Sequence, residues 1–230
     1  MKRSGLFSCV LVASAVCSSN AVADDAVLAA STTNFGSVGP ADVFYIYRID
    51  DAAVVELHRE TIDDPVQFVW SDPRTVWVYG SGKLARFVDG KRETQTAVTD
   101  ADWNATTGIT PVILRVTETG QVWLDTCVRG RRSPSKGVAA VCHATGYLRV
   151  DVTPLERTAR APKRLQVERA TSPANGRRSF GAGISGTYRG RTLEEMHSDP
   201  KPFDGLWTIS RGAKVLGDIP GKQLRLAPRR

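Results

Sequence analysis

The residue types that do acid–base or metal chemistry are sparse in this sequence. Its three histidines are His58, His143 and His197. His58 alternates with Glu56 and Glu60, and on a regular strand all three side chains project from one face. That pattern is a candidate E-x-H-x-E acid–base or metal cluster, and equally the solvated face of a half-exposed strand. His143 follows Cys142 and His197 ends a short helical segment, neither with a partner visible in the sequence. A zinc site from Cys127, Cys142 and His143 needs thiolates and a fourth ligand. Acidic residues come as adjacent pairs, Asp50-Asp51 and Asp63-Asp64, or near pairs, Asp100 and Asp102, as carboxylates that cap turns do. The Asp100-x-Asp102-x-Asn104 run lacks the glycine and distal glutamate of a calcium loop. No G-x-S-x-G, H-E-x-x-H or phosphate-loop pattern is present, and the glycine-rich run 181–186 follows a basic coil. The motifs therefore call for no cofactor and point away from nucleic acid.

Binding chemistry is better represented. Arg129, Arg131, Arg132 and Lys136 put four cations on one short loop between Cys127 and Cys142. Guanidinium groups grip phosphate, sulfate and carboxylate by charge-assisted, often bidentate bonds. An anionic polymer such as lipopolysaccharide or an envelope glycan, or an acidic protein, is the partner this loop suggests. A solvated loop kept soluble by its charge fits the same residues. Charge is also uneven along the chain. Residues 24–150 carry 13 Lys and Arg against 16 Asp and Glu, a net −3, whereas residues 151–230 carry 16 against 8, a net +8.

The first 23 residues read as an export address. Met1-Lys2-Arg3 is a basic start, 5–17 is apolar and small, and Ala21-Val22-Ala23 is an A-x-A cleavage site before Asp24-Asp25. The apolar run is shorter than the roughly 20 residues a membrane helix needs, and no later stretch approaches that length. Cleavage after Ala23 places the mature chain in the periplasm or outside the cell. Cys9 and Cys17 leave with the signal, so Cys127 and Cys142 remain. In an oxidising compartment they are expected to pair, closing a loop worth roughly 3 kcal/mol in chain entropy. Two inert thiols are the alternative.

The elements that must carry these groups are hairpins. Thr75 to Tyr79 is β-branched and aromatic, Gly80-Ser81-Gly82 supplies a turn, and Lys83 to Val88 returns in alternation. Asp42 to Ile49 with Ala53 to His58 forms an earlier hairpin, and Pro111 to Thr117 with Gln121 to Cys127 a later one. The expected division is a signal (1–23), an antiparallel β domain (24–153), a basic Gly/Ser/Arg-rich linker or set of long loops (154–204), and C-terminal β hairpins (205–230). Within the linker, Thr192-Leu193-Glu194-Glu195 matches a capping box, which predicts one short helix.

Trp77 and Trp123 both sit in "V-W" strands 46 residues apart, with Trp207 a further 84 along. Spacings of about 40–50 residues suit propeller blades. The runs Ser71-Asp72-Pro73-Arg74-Thr75-Val76-Trp77-Val78 and Gly82-Lys83-Leu84-Ala85-Arg86-Phe87-Val88-Asp89-Gly90 resemble the repeat of sensor-type β-propellers of the periplasmic two-component-regulator kind. Residues 117–124, T-E-T-G-Q-V-W-L, are similar to its first half. The fold class expected is mainly β, in antiparallel hairpin repeats, either propeller-like or an open β-sandwich. The function expected is an exported, non-enzymatic binding or scaffold protein of the cell envelope. A secreted hydrolase or metal-dependent enzyme, with a dispersed site around His58, Glu56 and Glu60, is the alternative.

Overall fold

Alternating β-branched and aromatic residues satisfy a strand that buries one face or both, and the computed structural model follows that pattern nearly throughout. It describes residues 26–33, 42–62, 66–80, 82–98, 113–129, 142–166, 175–199 and 203–229. The expected export address, residues 1–23, and the 99–112 segment lie outside the described residues.

The strands are β1 (Val27–Thr32), β2 (Asp42–Ile49), β3 (Val54–Ile62), β4 (Gln67–Trp70), β5 (Thr75–Gly80), β6 (Lys83–Val88) and β7 (Lys91–Ala97). They continue with β8 (Ile113–Thr117), β9 (Val122–Arg129), β10 (Cys142–Arg149), β11 (Glu156–Thr158) and β12 (Leu165–Gln166). Then come β13 (Gly176–Gly181), β14 (Ile184–Gly190), the helix α1 (Leu193–Ser198), β15 (Gly205–Arg211), β16 (Lys214–Pro220) and β17 (Gln223–Leu226). All pair antiparallel into four sheets: sheet I, β17-β1-β2-β3; sheet II, β4-β5-β6-β7; sheet III, β11-β10-β9-β8-β12; and sheet IV, β13-β14-β15-β16. The expected mainly β class is what the chain adopts. Among the described residues no helix is long and apolar enough to cross a membrane.

Each sheet buries a face against the next, in the order IV, I, II, III. Tyr45, Tyr47, Ile49 and Leu224 of sheet I meet Ile184, Tyr188, Trp207, Ile209 and Ile219 of sheet IV. The opposite face of sheet I puts Ala30, Phe44 and Ile46 against Phe68, Val76, Val78 and Phe87 of sheet II. Val69 and Leu84 on the far face of sheet II meet Leu114, Val116, Val122, Leu124 and Leu148 of sheet III. Burying each such side chain removes it from water at a gain of roughly 1.5–3 kcal/mol. The inner strands are also stapled by polar bonds. Trp70 Nε1 donates to the Arg225 carbonyl at 3.3 Å, and Arg225 Nη1 donates to the Phe68 carbonyl at 2.8 Å. Leu114 N donates to Gln67 Oε1 at 2.9 Å. Strand β4 is thereby tied to β17 on one side and to β8 on the other.

Sheet IV draws on two of the expected segments. Part of the segment 154–204 is not linker: residues 176–190 form the β13–β14 hairpin of sheet IV. Its large apolar groups are few because glycine does the packing. A Cβ on Gly186 would stand 2.8 Å from Phe180 and 3.0 Å from Trp207, so the two rings close over bare backbone. The C-terminal strands over 205–230 join two sheets. β15 and β16 complete sheet IV, while β17 crosses to sheet I and pairs Ala29 with Leu226. The capping box is as expected: Glu195 N donates to Thr192 Oγ1 at 3.1 Å, and Thr192 N to Glu195 Oε2 at 2.7 Å.

Candidate functional site

The S-D-P-R turn before β5 builds one end of a cleft between sheets II and III. Asp72 Oδ1 accepts from Arg74 N at 2.8 Å and from Thr75 N at 2.9 Å, which sets the entry to β5. Two residues on, Trp77 faces sheet III, packed half-buried against the Val122–Leu124 core. Arg86 stands opposite it across the β5–β6 ladder, its guanidinium carbon 5.9 Å from the indole centroid. Arg86 Nη1 also pairs with Glu93 at 3.2 Å. One rung of sheet II thus reads Val69, Trp77, Arg86, Thr94, from the buried strand to the exposed one. The next rung carries Tyr79, Leu84 and Thr96.

The facing wall is the segment 150–155 that leaves β10, with Asp151, Thr153 and Pro154, and the β8–β9 turn closes one end at Gly120. That turn comes close to the other wall. Gly120 has φ +79°, and a Cβ there would lie 2.7 Å from the Ser71 carbonyl, so the position requires glycine. The enclosed volume is about 520 Å³, within the range of small-molecule sites. Its charges are held inside the protein: Asp72 by two amides, Asp151 by Arg149 Nε at 2.9 Å, and Arg86 by Glu93. The Thr94 and Thr96 hydroxyls have no hydrogen-bond partner among the described residues. The sequence pointed to this hairpin but not to the cleft. Its second wall follows Trp77 by more than 70 residues and has no motif of its own.

Sheet III repeats the arrangement. Trp123 on β9 stands between Arg115 on β8 and Arg149 on β10, and Arg149 stands opposite Glu156 on β11. Because Val122 and Leu124 point to sheet II, Trp123 points away from it. The indole is 8% exposed. Arg115 Nη2 pairs with Asp125 Oδ2 at 2.9 Å. Burial pushes the Asp125 carboxyl above its usual range, and Arg115 pulls it back in part. Trp77 and Trp123 therefore occupy equivalent second strands, each with an arginine opposite on the third.

The E-x-H-x-E cluster does not assemble. A β-bulge at Leu57 pairs His58 with Ile46 but Glu56 with Tyr47, so the two side chains leave on opposite faces. His58 lies against the Phe87 ring at 4.7 Å, with Glu60 Oε2 3.5 Å from its Nε2, and Arg92 pairs with the same carboxylate. Glu56 instead stands exposed on the face of sheet I that meets sheet IV, where the Tyr47 hydroxyl donates to its Oε2 at 3.3 Å. Burial raises the hydroxyl pKa of Tyr45, Tyr47 and Tyr188 there. Asp204 adds to the effect at Tyr188, which is pushed up to about 12. Among the described residues no three of His, Cys, Asp and Glu gather to hold a metal ion.

Arg131, Arg132 and Lys136 lie outside the described residues, as do the side chains of Arg129, Cys127 and Cys142. A basic groove does occur elsewhere, between the β13–β14 turn and β17. Its walls include Arg178, Phe180, Leu226 and Arg229, with no Asp or Glu among the described residues, and its volume is about 490 Å³. Arg178 lies over the Phe180 ring at 5.7 Å. No family model, curated protein or solved structure matches the chain.

Proposed function

We propose that this chain is an exported, non-enzymatic binding protein whose ligand occupies the cleft between sheets II and III. The observation that carries the reading is the half-buried Trp77, oriented by Arg86 in the wall of a cleft of about 520 Å³. An indole with one side packed on core and another lining a cavity offers a rigid apolar contact at little entropic cost. Export rests on the basic start, apolar run and A-x-A site of residues 1–23. The resemblance to sensor-type propellers supports a ring of sheets. So do the strands running in sequence order within sheets II and IV and β17 completing the sheet that begins with β1.

The reading is tested by hydrogen exchange of the mature chain with and without cell-envelope extract. Protection concentrated in residues 75–98 and 150–155 is expected. Protection confined to residues 129–136 or 176–182 overturns it.

An anionic polymer or acidic protein as partner is favoured by a separate observation, the carboxylate-free basic groove at Arg178 and Arg229. Each cation that touches a polyanion displaces counterions, so such binding falls steeply with salt. Heparin retention of the mature chain that is lost in Arg178→Ala/Arg229→Ala supports this second surface, and unchanged retention removes it.

A further inference from the structure

We infer that the ligand of the Trp77 cleft is a short neutral saccharide, an inference that rests on the cleft being the binding site.

An anion needs a cation to receive it. Among the described residues the one arginine in the wall, Arg86, is engaged by Glu93 and by the indole. Asp72, a carboxylate, stands in the wall as well and adds negative charge. A cation needs an available carboxylate. Asp151 is already paired with Arg149, and Asp72 has Oδ1 filled by two backbone amides and Oδ2 met by Ser71 Oγ at 3.4 Å, so no two open carboxylates converge to hold a cation. A wholly apolar ligand would cover the Thr94 and Thr96 hydroxyls without replacing their bonds to water, and burying unbonded hydroxyls is unfavourable.

A polyol meets none of these obstacles. The carbon-bound faces of a sugar ring cover the indole, Leu84, Val150 and Leu155. Its hydroxyls both donate and accept, as do those of Thr94 and Thr96. The rung Trp77, Arg86, Thr94 sets these chemistries side by side, apolar at the buried end and hydroxylic at the exposed end. The cleft is therefore matched to a ligand that is apolar on its ring faces, hydroxylated at its edges and without charge.

The test is calorimetric titration of the mature protein with cellotriose, maltotriose, mannotriose, chitotriose and trigalacturonate. At least one neutral trisaccharide is expected to bind one to one, with an affinity unchanged between low and high salt. Trp77→Ala should weaken it at least tenfold, Trp77→Phe less, and Thr94→Val/Thr96→Val severalfold. Each variant is checked for an unchanged fold by near-ultraviolet circular dichroism. Trigalacturonate binding that is salt-sensitive and lost in Trp77→Ala keeps the cleft but overturns the neutral ligand. Neutral binding that a folded Trp77→Phe and the threonine variant both leave intact overturns the cleft itself. Binding of none of the five overturns the saccharide assignment.

Discussion

Trp77 lies directly across the β5–β6 ladder from Arg86, whose guanidinium carbon is 5.9 Å from the indole centroid. The contact is worth only about 0.5–1 kcal/mol at an exposed site, and the Arg86–Glu93 pair, roughly half exposed on both sides, adds little more. Its consequence is orientation: a planar cation on the β6 side fixes how the ring meets the cleft. Arg86→Ala should therefore cost less than about 1 kcal/mol in denaturant unfolding yet weaken whatever binds at Trp77. A large loss of stability with unchanged binding would show that the arginine is only a strut.

Trp207 is the contrasting indole. It is 1% exposed, with Tyr188 at 5.0 Å and Phe180 at 5.5 Å between ring centroids, at the centre of the sheet I–IV core. Truncation to alanine should cost about 3–5 kcal/mol. Chemical denaturation compared with Trp77→Ala checks the order; equal losses would place the two rings in equivalent packing.

Gly205 gives a test of the same interface. A Cβ there would come 2.2 Å from the Tyr188 hydroxyl and 2.5 Å from the ring carbon that bears it. Gly205→Ala should destabilise the chain by about 1–3 kcal/mol through overpacking. Tyr188→Phe in the same chain should recover only part of that, because the ring carbons still clash. Full recovery would put the conflict in the hydroxyl alone.

The tyrosines predict how stability depends on alkali. Tyr188 is raised from 10.0 to about 12, first by burial and then by Asp204, and Tyr45 and Tyr47 are raised as well. The folded chain holds these protons longer than the unfolded chain. The unfolded state is thus favoured as soon as its tyrosines ionise, and stability falls as pH rises from about 10 toward about 12. Thermal midpoints across that window should drop less in Tyr188→Phe than in the parent. Parallel curves would mean that the hydroxyl titrates as freely as in water.

The hairpins were legible because local chemistry fixes them. Thr75 to Phe87 alternates around a glycine turn, and Thr192 with Glu195 declares the start of its helix by reciprocal bonds. Sheet IV was not legible in its first half, because Gly186 contributes to the core by having no side chain, and a glycine-rich run reads as coil. Nor was the parting of Glu56 from His58. A single bulge at Leu57 reverses the faces downstream, and nothing in V-V-E-L-H-R-E marks where the extra residue goes. The cleft depended on long-range pairing. Trp77 and Arg86 are nine residues apart, but the second wall is the segment that follows a strand beginning only at Cys142.

The central claim, that ligand meets Trp77, is tested most directly by fluorine NMR of protein labelled with fluorotryptophan. Five tryptophans give five signals, Trp70, Trp77, Trp103, Trp123 and Trp207, assigned by single replacements with phenylalanine. On titration with cell-envelope extract, and then with the trisaccharide that binds, the Trp77 signal should move and saturate while the buried Trp207 signal stays in place. A Trp77 signal that remains fixed while another tryptophan shifts to saturation would contradict the account.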